Sequence, residues 1–279
     1  MPPLSDEEKL ARAYNKGLDC EKQGDIAGAV RAYRRALKID PADPGGVSVR
    51  LAALGKGDMP DRAPEAYVEM LFDQQAESFE HSLVDQLHYG VPELLRQRLD
   101  RLFPRPFARL LDLGCGTGLV AEAMLGRVDE MVGIDLSENM IGMASAKNIY
   151  AELFIGEVEA FLDGNDESPF DLVAACDLMP YFGDLRPIVS GVAKNLIPGG
   201  IFAFSTECRT PGAADDAPYA ITPHHRYAHS GAYLETILAE PGFEILTIDE
   251  INVRLQDGQP TPGHLVFARK QWQQENAET

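Results

Sequence analysis

The run Leu110-Leu111-Asp112-Leu113-Gly114-Cys115-Gly116-Thr117-Gly118 constrains this chain more than any other stretch. An apolar strand ending in a carboxylate leads straight into three alternating glycines, and the helical run Leu119 to Leu125 follows at once. Residues without a Cβ let the backbone turn tightly and approach a ligand, so strand, glycine turn and helix in this order form a nucleotide cradle. The third glycine lies four positions after the first, whereas the dinucleotide fingerprint G-x-G-x-x-G needs one five positions on, where this chain has Leu119. That offset argues against NAD.

Further strands follow at intervals. Met131-Val132-Gly133-Ile134-Asp135 is a second short apolar strand ending in an acid, where a Rossmann-like unit puts the carboxylate that grips two ribose hydroxyls. Ser137 then caps another helix. Ala151 to Val158 reads as a third strand, and Phe170 to Cys176 as a fourth, buried on both faces. Ile188 to Leu196 reads as a helix before the turn Pro198-Gly199-Gly200, which leads into a fifth strand, Ile201 to Thr206. Phe243 to Ile248 and His264 to Ala268 pair as an antiparallel sixth and seventh. The fold class is α/β.

The form D-x-G-x-G-x-G at 112–118 resembles the first motif of class I S-adenosylmethionine (SAM) dependent methyltransferases. The resemblance implies a seven-stranded Rossmann-like sheet, strands 1–5 parallel and 6–7 an antiparallel hairpin, with SAM as cofactor and S-adenosylhomocysteine as product. It places Asp112, Gly114, Cys115, Gly116, Asp135, Leu136 and Met140 on the cofactor. It also gives Glu157 the adenine amino group and the Val158 N–H a ring nitrogen, and it sets Asp177 and the Cys176 carbonyl against the amino group of the methionine moiety.

Ahead of this core, Leu10 to Pro41 reads as two helices joined at Gly24-Asp25. Gly17, Gly24, Ala29, Tyr33, Ala36 and Pro41 fall where a tetratricopeptide (TPR) repeat wants small, aromatic and breaker residues, although Ala13 and Cys20 depart from that pattern. One repeat cannot bury its own apolar face, so Val47 to Leu54 is expected to cap it. The repeat serves either as a docking surface for a partner or second copy, or as a buttress for the domain that follows. Gly55 to Pro60 breaks the chain, which divides it into a helical domain 1–58, lid or entry helices 59–106 and a core 107–279. The entry stretch, with its Tyr89-Gly90-Val91-Pro92 turn, resembles that of the TPR-containing bacterial methyltransferases. Within it Phe72 and Phe79 read as core, and Tyr67, Tyr89 and His81 as pocket residues.

The acceptor side is less tightly specified. His224-His225-Arg226-Tyr227-Ala228-His229-Ser230 is the most polar cluster of the chain. A base is needed only if the nucleophile must lose a proton, and His225 or His229 suits that role. Alternatively Arg226 makes the cluster a binding site for an acidic substrate. Tyr89, Tyr181, Arg226 and Tyr227 are the substrate-side candidates, with Tyr181 facing either substrate or core. No H-x-x-x-H or acidic cluster flanks the fourth strand, so no metal is expected. Asp177-Leu178-Met179-Pro180-Tyr181 stands where amino methyltransferases carry N-P-P-Y, which points to a small-molecule acceptor of undecided atom, oxygen, nitrogen or sulfur. The other class of function open to such a chain is a silent SAM or nucleoside binding scaffold acting through the repeat.

Charge narrows the partners. Of the net −19, residues 1–60 carry ten Lys or Arg against nine Asp or Glu, leaving 15 basic and 35 acidic residues, about −20, to the rest. Such a field repels nucleic acid, whose binding depends on basic contacts to phosphate. No run of about 18 apolar residues predicts a membrane span. The acidic start lacks a signal-peptide core, and Cys20, Cys115, Cys176 and Cys208 lie far apart, as expected of a cytoplasmic protein. The insert Thr210 to Pro223 and the tail Gln271 to Thr279 are expected as mobile surface segments.

Overall fold

The computed structural model describes residues 4–166, 168–209 and 217–272. Residues 210–216 of the expected insert and 273–279 of the expected tail lie outside them. Three helices open the chain: α1 (Asp6–Lys22), α2 (Ile26–Ile39) and α3 (Val47–Ala53). Ser5 and Glu8 form a reciprocal capping box on α1, with bonds of 3.1 and 2.9 Å, and Asp25 caps α2 by accepting from the Gly28 N–H at 2.8 Å. The close approach of the two helices needs Gly17, because a Cβ there would fall 2.2 Å from the Tyr33 ring. Val47 and Leu51 of α3 complete a separate cluster with Ala13, Cys20, Ala29, Tyr33 and Ala36.

The entry segment comprises α4 (Glu65–Gln75), a 3₁₀ turn at Ala76–Ser78, a π-helical turn at His81–Gln86 and α5 (Val91–Leu102). The sequence reads as one helix over 67–83. It breaks after Gln75 with no glycine or proline to announce it, and the turns carry Phe79 and Leu83 back toward the sheet.

The core strands are β1 (Phe107–Leu113), β2 (Val128–Asp135), β3 (Glu152–Ile155), β4 (Phe170–Ala175) and β5 (Leu196–Cys208), parallel in the order β3-β2-β1-β4-β5. Helices α6 (Leu119–Ala123), α7 (Glu138–Ala146), α8 (Val158–Gly164), α9 (Arg186–Asn195) and α10 (Gly231–Ala239) complete the layers. Alternate strand residues feed two cores, one per face: Leu111, Val132, Val173 and Phe202 pack with α8, α9 and α10, while Leu110, Met131, Leu172 and Ile201 pack with α5 and α6. The order reverses between β1 and β4, and the crevice beyond their carboxyl ends is where open α/β sheets bind ligands.

The sheet has nine strands rather than seven. The sixth and seventh expected strands are longer than their apolar runs, β8 (Phe243–Gln256) and β9 (Gln259–Lys270), with β9 antiparallel to β5. The two additional strands, β6 (Tyr219–Ile221) and β7 (Tyr227–His229), form a hairpin. At three residues each they are too short to show alternation in sequence. Glu207 pairs with Gly263 of β9 on one edge and Ala228 of β7 on the other, so the hairpin sits beside the carboxyl end of β5, beyond the end of β4.

Candidate active site

The turn after β1 is held open by backbone that only glycine adopts without strain, at φ +65° for Gly114 and +54° for Gly116. A Cβ on Gly114 would come within 2.9 Å of Leu178. The Gly116 N–H donates to Asp135 Oδ2 and the Ser137 N–H to Asp135 Oδ1, each at 2.9 Å, so one carboxylate ties the loops after β1 and β2 together. Burial pushes the Asp135 carboxyl up, against the backbone N–H groups that favour its charge.

A pocket open to solvent lies on this turn. Eleven of the expected site residues line it: Gly114, Cys115, Gly116, Asp135, Leu136, Glu157, Val158, Cys176, Asp177, Tyr89 and Tyr181. Its cover comes from Val68, Phe72, Phe79 and Leu83 of the entry segment, with Phe72 edge-on to both Phe79 and Tyr181. Phe72 and Phe79 thus pack against the two cores and line the pocket as well. Conversely, Tyr67 packs against Gly46, and His81 is exposed and paired with Asp85 at 2.9 Å. Helical spacing alone does not say which face of the entry segment turns to the sheet.

Glu157 does not end a strand. It caps α8 by accepting from the Glu159 and Ala160 N–H groups at 3.0 and 2.7 Å and meets Arg62 at 3.1 Å, which leaves Val158 as the first helical residue. Asp112 and Met140 lie behind the pocket wall, at 1% and 0% exposure. Asp112 accepts from the Tyr150 hydroxyl at 2.6 Å, and burial pushes its carboxyl up to about 7. Tyr150 props the glycine turn from below, since Cβ atoms at Gly118 and Gly133 would meet its ring at 3.1 and 2.9 Å. Nothing in the sequence singled it out.

The polar cluster at 224–230 is a structural hairpin, not a set of groups aimed into the pocket. His229 is fully enclosed: Nε2 lies 3.0 and 3.1 Å from the Phe182 and Gly183 carbonyls and Nδ1 lies 2.6 Å from the Thr206 hydroxyl. His225, at the hairpin tip with φ +61°, sits 3.5 Å from Arg50 Nη1 and 4.0 Å from Glu21 of the N-terminal helices. Tyr227 is fully buried and donates to the Pro60 carbonyl at 2.7 Å. Neither histidine lines the pocket, since β7 pairs with β5 and turns His229 inward while His225 stands at the hairpin tip.

Arg226 faces inward to carboxylates rather than outward to a substrate. It donates to Asp177 at 2.5 Å, Glu207 at 2.7 Å and the Tyr181 hydroxyl at 2.8 Å, with its guanidinium 4.9 Å from the Tyr181 ring centre. Arg254 of β8 donates to Asp177 at 3.2 Å and also to Glu207. Two cations and two anions close a ring beneath the pocket, and Asp177, at φ +60°, projects from it into the lining. Arg254 lies beyond the apolar run that announces its strand. Only the strand's full length brings it here.

Burial holds the His229 imidazole down at about 4. Its folded-state value is thus below its unfolded one, near 6.5. Between those values the unfolded chain takes up a proton that the folded chain refuses, so this contribution is complete above pH 6.5 and drains away toward pH 4. The stability gap between wild type and His229→Gln, read from urea unfolding, is expected to narrow steadily over that window. A gap constant from pH 7 to 4 would mean that His229 is not buried neutral.

Residues 87–248 match a family model described as a methyltransferase domain. A malonyl-[acyl-carrier protein] O-methyltransferase of Salmonella typhimurium is 30% identical over 136 residues, 49% of this chain and 53% of that protein. A ubiquinone biosynthesis O-methyltransferase of Alkalilimnicola ehrlichii is 36% identical over 107 residues, 37% of this chain and 43% of that protein. The chain spans about half the length of these relatives. Among solved structures, an S-adenosylmethionine-dependent methyltransferase from Clostridium acetobutylicum superposes with a TM-score of 0.53 at 16% identity, over 71% of this chain and 99% of its own. Another from Methanosarcina mazei gives 0.52 at 16% identity, over 62% and 97%. Both are likenesses of fold.

Proposed function

The chain belongs to the methyltransferase-domain family, and from that premise we propose that it is a SAM-dependent methyltransferase acting on a small-molecule acceptor. The observation that carries the reading is the pocket itself, which joins the Gly114–Gly116 turn, the Asp135 carboxylate and an apolar cover at the switch point of the sheet. The lining fits an adenosyl ligand. A Cβ at Gly116 would find only Phe79, 3.8 Å away, and one at Gly156 nothing within 4 Å, so ligand atoms can lie directly against this backbone.

When bound, SAM supplies an electrophilic methyl group on a sulfonium. Each Asp135 oxygen accepts one backbone N–H and keeps a lone pair, enough to receive the two ribose hydroxyls. Leu136 and Val158 flank the adenine end, while Asp177 and the Cys176 carbonyl face the methionine end. Phe72, Phe79 and Leu83 exclude water, and the chief task left to the protein is to align the acceptor with the methyl group. Among the described residues no histidine lines this pocket, and Tyr89 and Tyr181 supply hydroxyls at its wall. The mostly apolar lining and the ubiquinone biosynthesis O-methyltransferase relative favour an uncharged acceptor with a hydroxyl group.

For the division into a TPR-like unit 1–58, a lid 59–106 and a core 107–279, the support is the separate cluster of α1 to α3, which bears on the first boundary. A cytoplasmic location is consistent with four free cysteines, and no helix of the described residues is long and apolar enough to cross a membrane. Calorimetry with SAM, followed by an acceptor panel read by S-adenosylhomocysteine release, tests the reading. Binding plus release with a hydroxylated acceptor is expected. Binding without release from any acceptor favours the scaffold, and no binding overturns both.

A further inference from the structure

The groove between α1 and α2 carries an unusual charge for so acidic a protein. Arg12 and Lys16 stand one turn apart on α1, Arg31 and Arg35 one turn apart on α2, and both rows border the same groove, with Lys9 at its end. Lys9 is paired with Asp6 at 2.6 Å. Among the described residues the other four, all exposed, make no ion pair. Like charges at i,i+4 repel on a helix surface, and although Glu8 and Asp19 stand within a turn of the α1 row neither forms an ion pair with it, while no acid stands within a turn of the α2 row on its helix. The hairpin does not lack acids, since residues 1–60 hold nine, but among the described residues Asp25 is the one acid bordering this groove, and its carboxylate is engaged in capping α2.

We infer that this groove docks an acidic segment of a protein partner. Its floor is small and apolar, with Ala13, Gly28 and Ala32, so a peptide backbone can lie close between the rows. Cations one helical turn apart match the spacing of alternate side chains on an extended strand, so carboxylates at every second position meet a row in register. Among the described residues no aromatic side chain borders the groove, which leaves nucleotide bases nothing to stack on there. A long polyanion would also meet the field of about −20 carried by the remainder of the chain. The inference is independent of what the pocket at 114–116 binds.

The test uses the full chain and a short fluorescein-labelled peptide of alternating glutamate and alanine, with a lysine and alanine peptide and a thymidine oligonucleotide as comparators, read by anisotropy. The acidic peptide is expected to bind, to weaken as salt rises, and to lose about tenfold or more in affinity in Arg12→Glu/Arg31→Glu. Lys22→Glu/Lys38→Glu, exposed but outside the groove, is expected to leave it unchanged. An unfolded reversal variant is replaced by Arg31→Gln/Arg35→Gln, for which the same direction is expected. Equal binding of the lysine peptide, tighter binding of the oligonucleotide, or affinity indifferent to the groove variants overturns the inference. So does sedimentation showing that the wild type, but not the reversal variant, self-associates, which would give the groove to a second copy. SAM calorimetry on the same variants separates these outcomes from any failure of the methyltransferase reading.

Discussion

Asp135→Ala is expected to weaken SAM binding by about 1–3 kcal/mol, roughly five- to 150-fold, because it removes the acceptor that both ribose hydroxyls would use. The same change strips the Gly116 and Ser137 N–H groups of their partner, so the glycine turn loses the tie that sets its distance from β2. Asp135→Asn keeps one acceptor oxygen and is expected to fall between alanine and wild type. Calorimetry gives the affinity, and thermal unfolding without ligand reports the turn. Unchanged affinity in a folded Asp135→Ala protein would remove the second strand's acid from the binding site and leave the pocket reading on the glycine turn alone.

The other large effect is expected from the ionic ring under the pocket. Arg226→Ala leaves Asp177 and Glu207, with side chains 16% and 4% exposed, sharing Arg254 alone. Removing one partner from a buried charge network costs about 3–5 kcal/mol, since the stranded charge is neither solvated nor paired. Urea unfolding measures that loss. Arg226→Met combined with Glu207→Leu removes one charge of each sign and is expected to cost less than Arg226→Ala, although it deletes more bonds. A double variant less stable than the single one would show that the ring's value lies in its individual hydrogen bonds. Because Arg226 also holds the Tyr181 hydroxyl, the folded fraction of Arg226→Ala is expected to bind acceptor more weakly while SAM affinity changes less.

The division between what could be read beforehand and what could not follows the range of the forces involved. The glycine turn, the acid at 135 and the apolar runs of β1, β2 and β4 express local rules: backbone conformation, a cap two residues on, a strand buried on both faces. Their lining positions, from Gly114 to Asp177, follow from those rules, because the ends of neighbouring parallel strands must meet at one edge. The cluster at 224–230 shows the opposite case. Its composition suits chemistry, yet a histidine's role depends on what encloses it, and β7 pairs with the far end of β5 to bury His229 against carbonyls.

By itself, then, the sequence determined the class of fold, the cradle and the carboxylate at its base, since each is encoded within a few consecutive residues. Only the tertiary structure decided which aromatic face covers the pocket, that nine strands pair instead of seven, and that Arg226 and Arg254, 28 residues apart in sequence, neutralise Asp177 and Glu207 together. Those outcomes rest on long-range pairing and desolvation, whose energies depend on neighbours brought in by the whole sheet rather than on any residue's own preference.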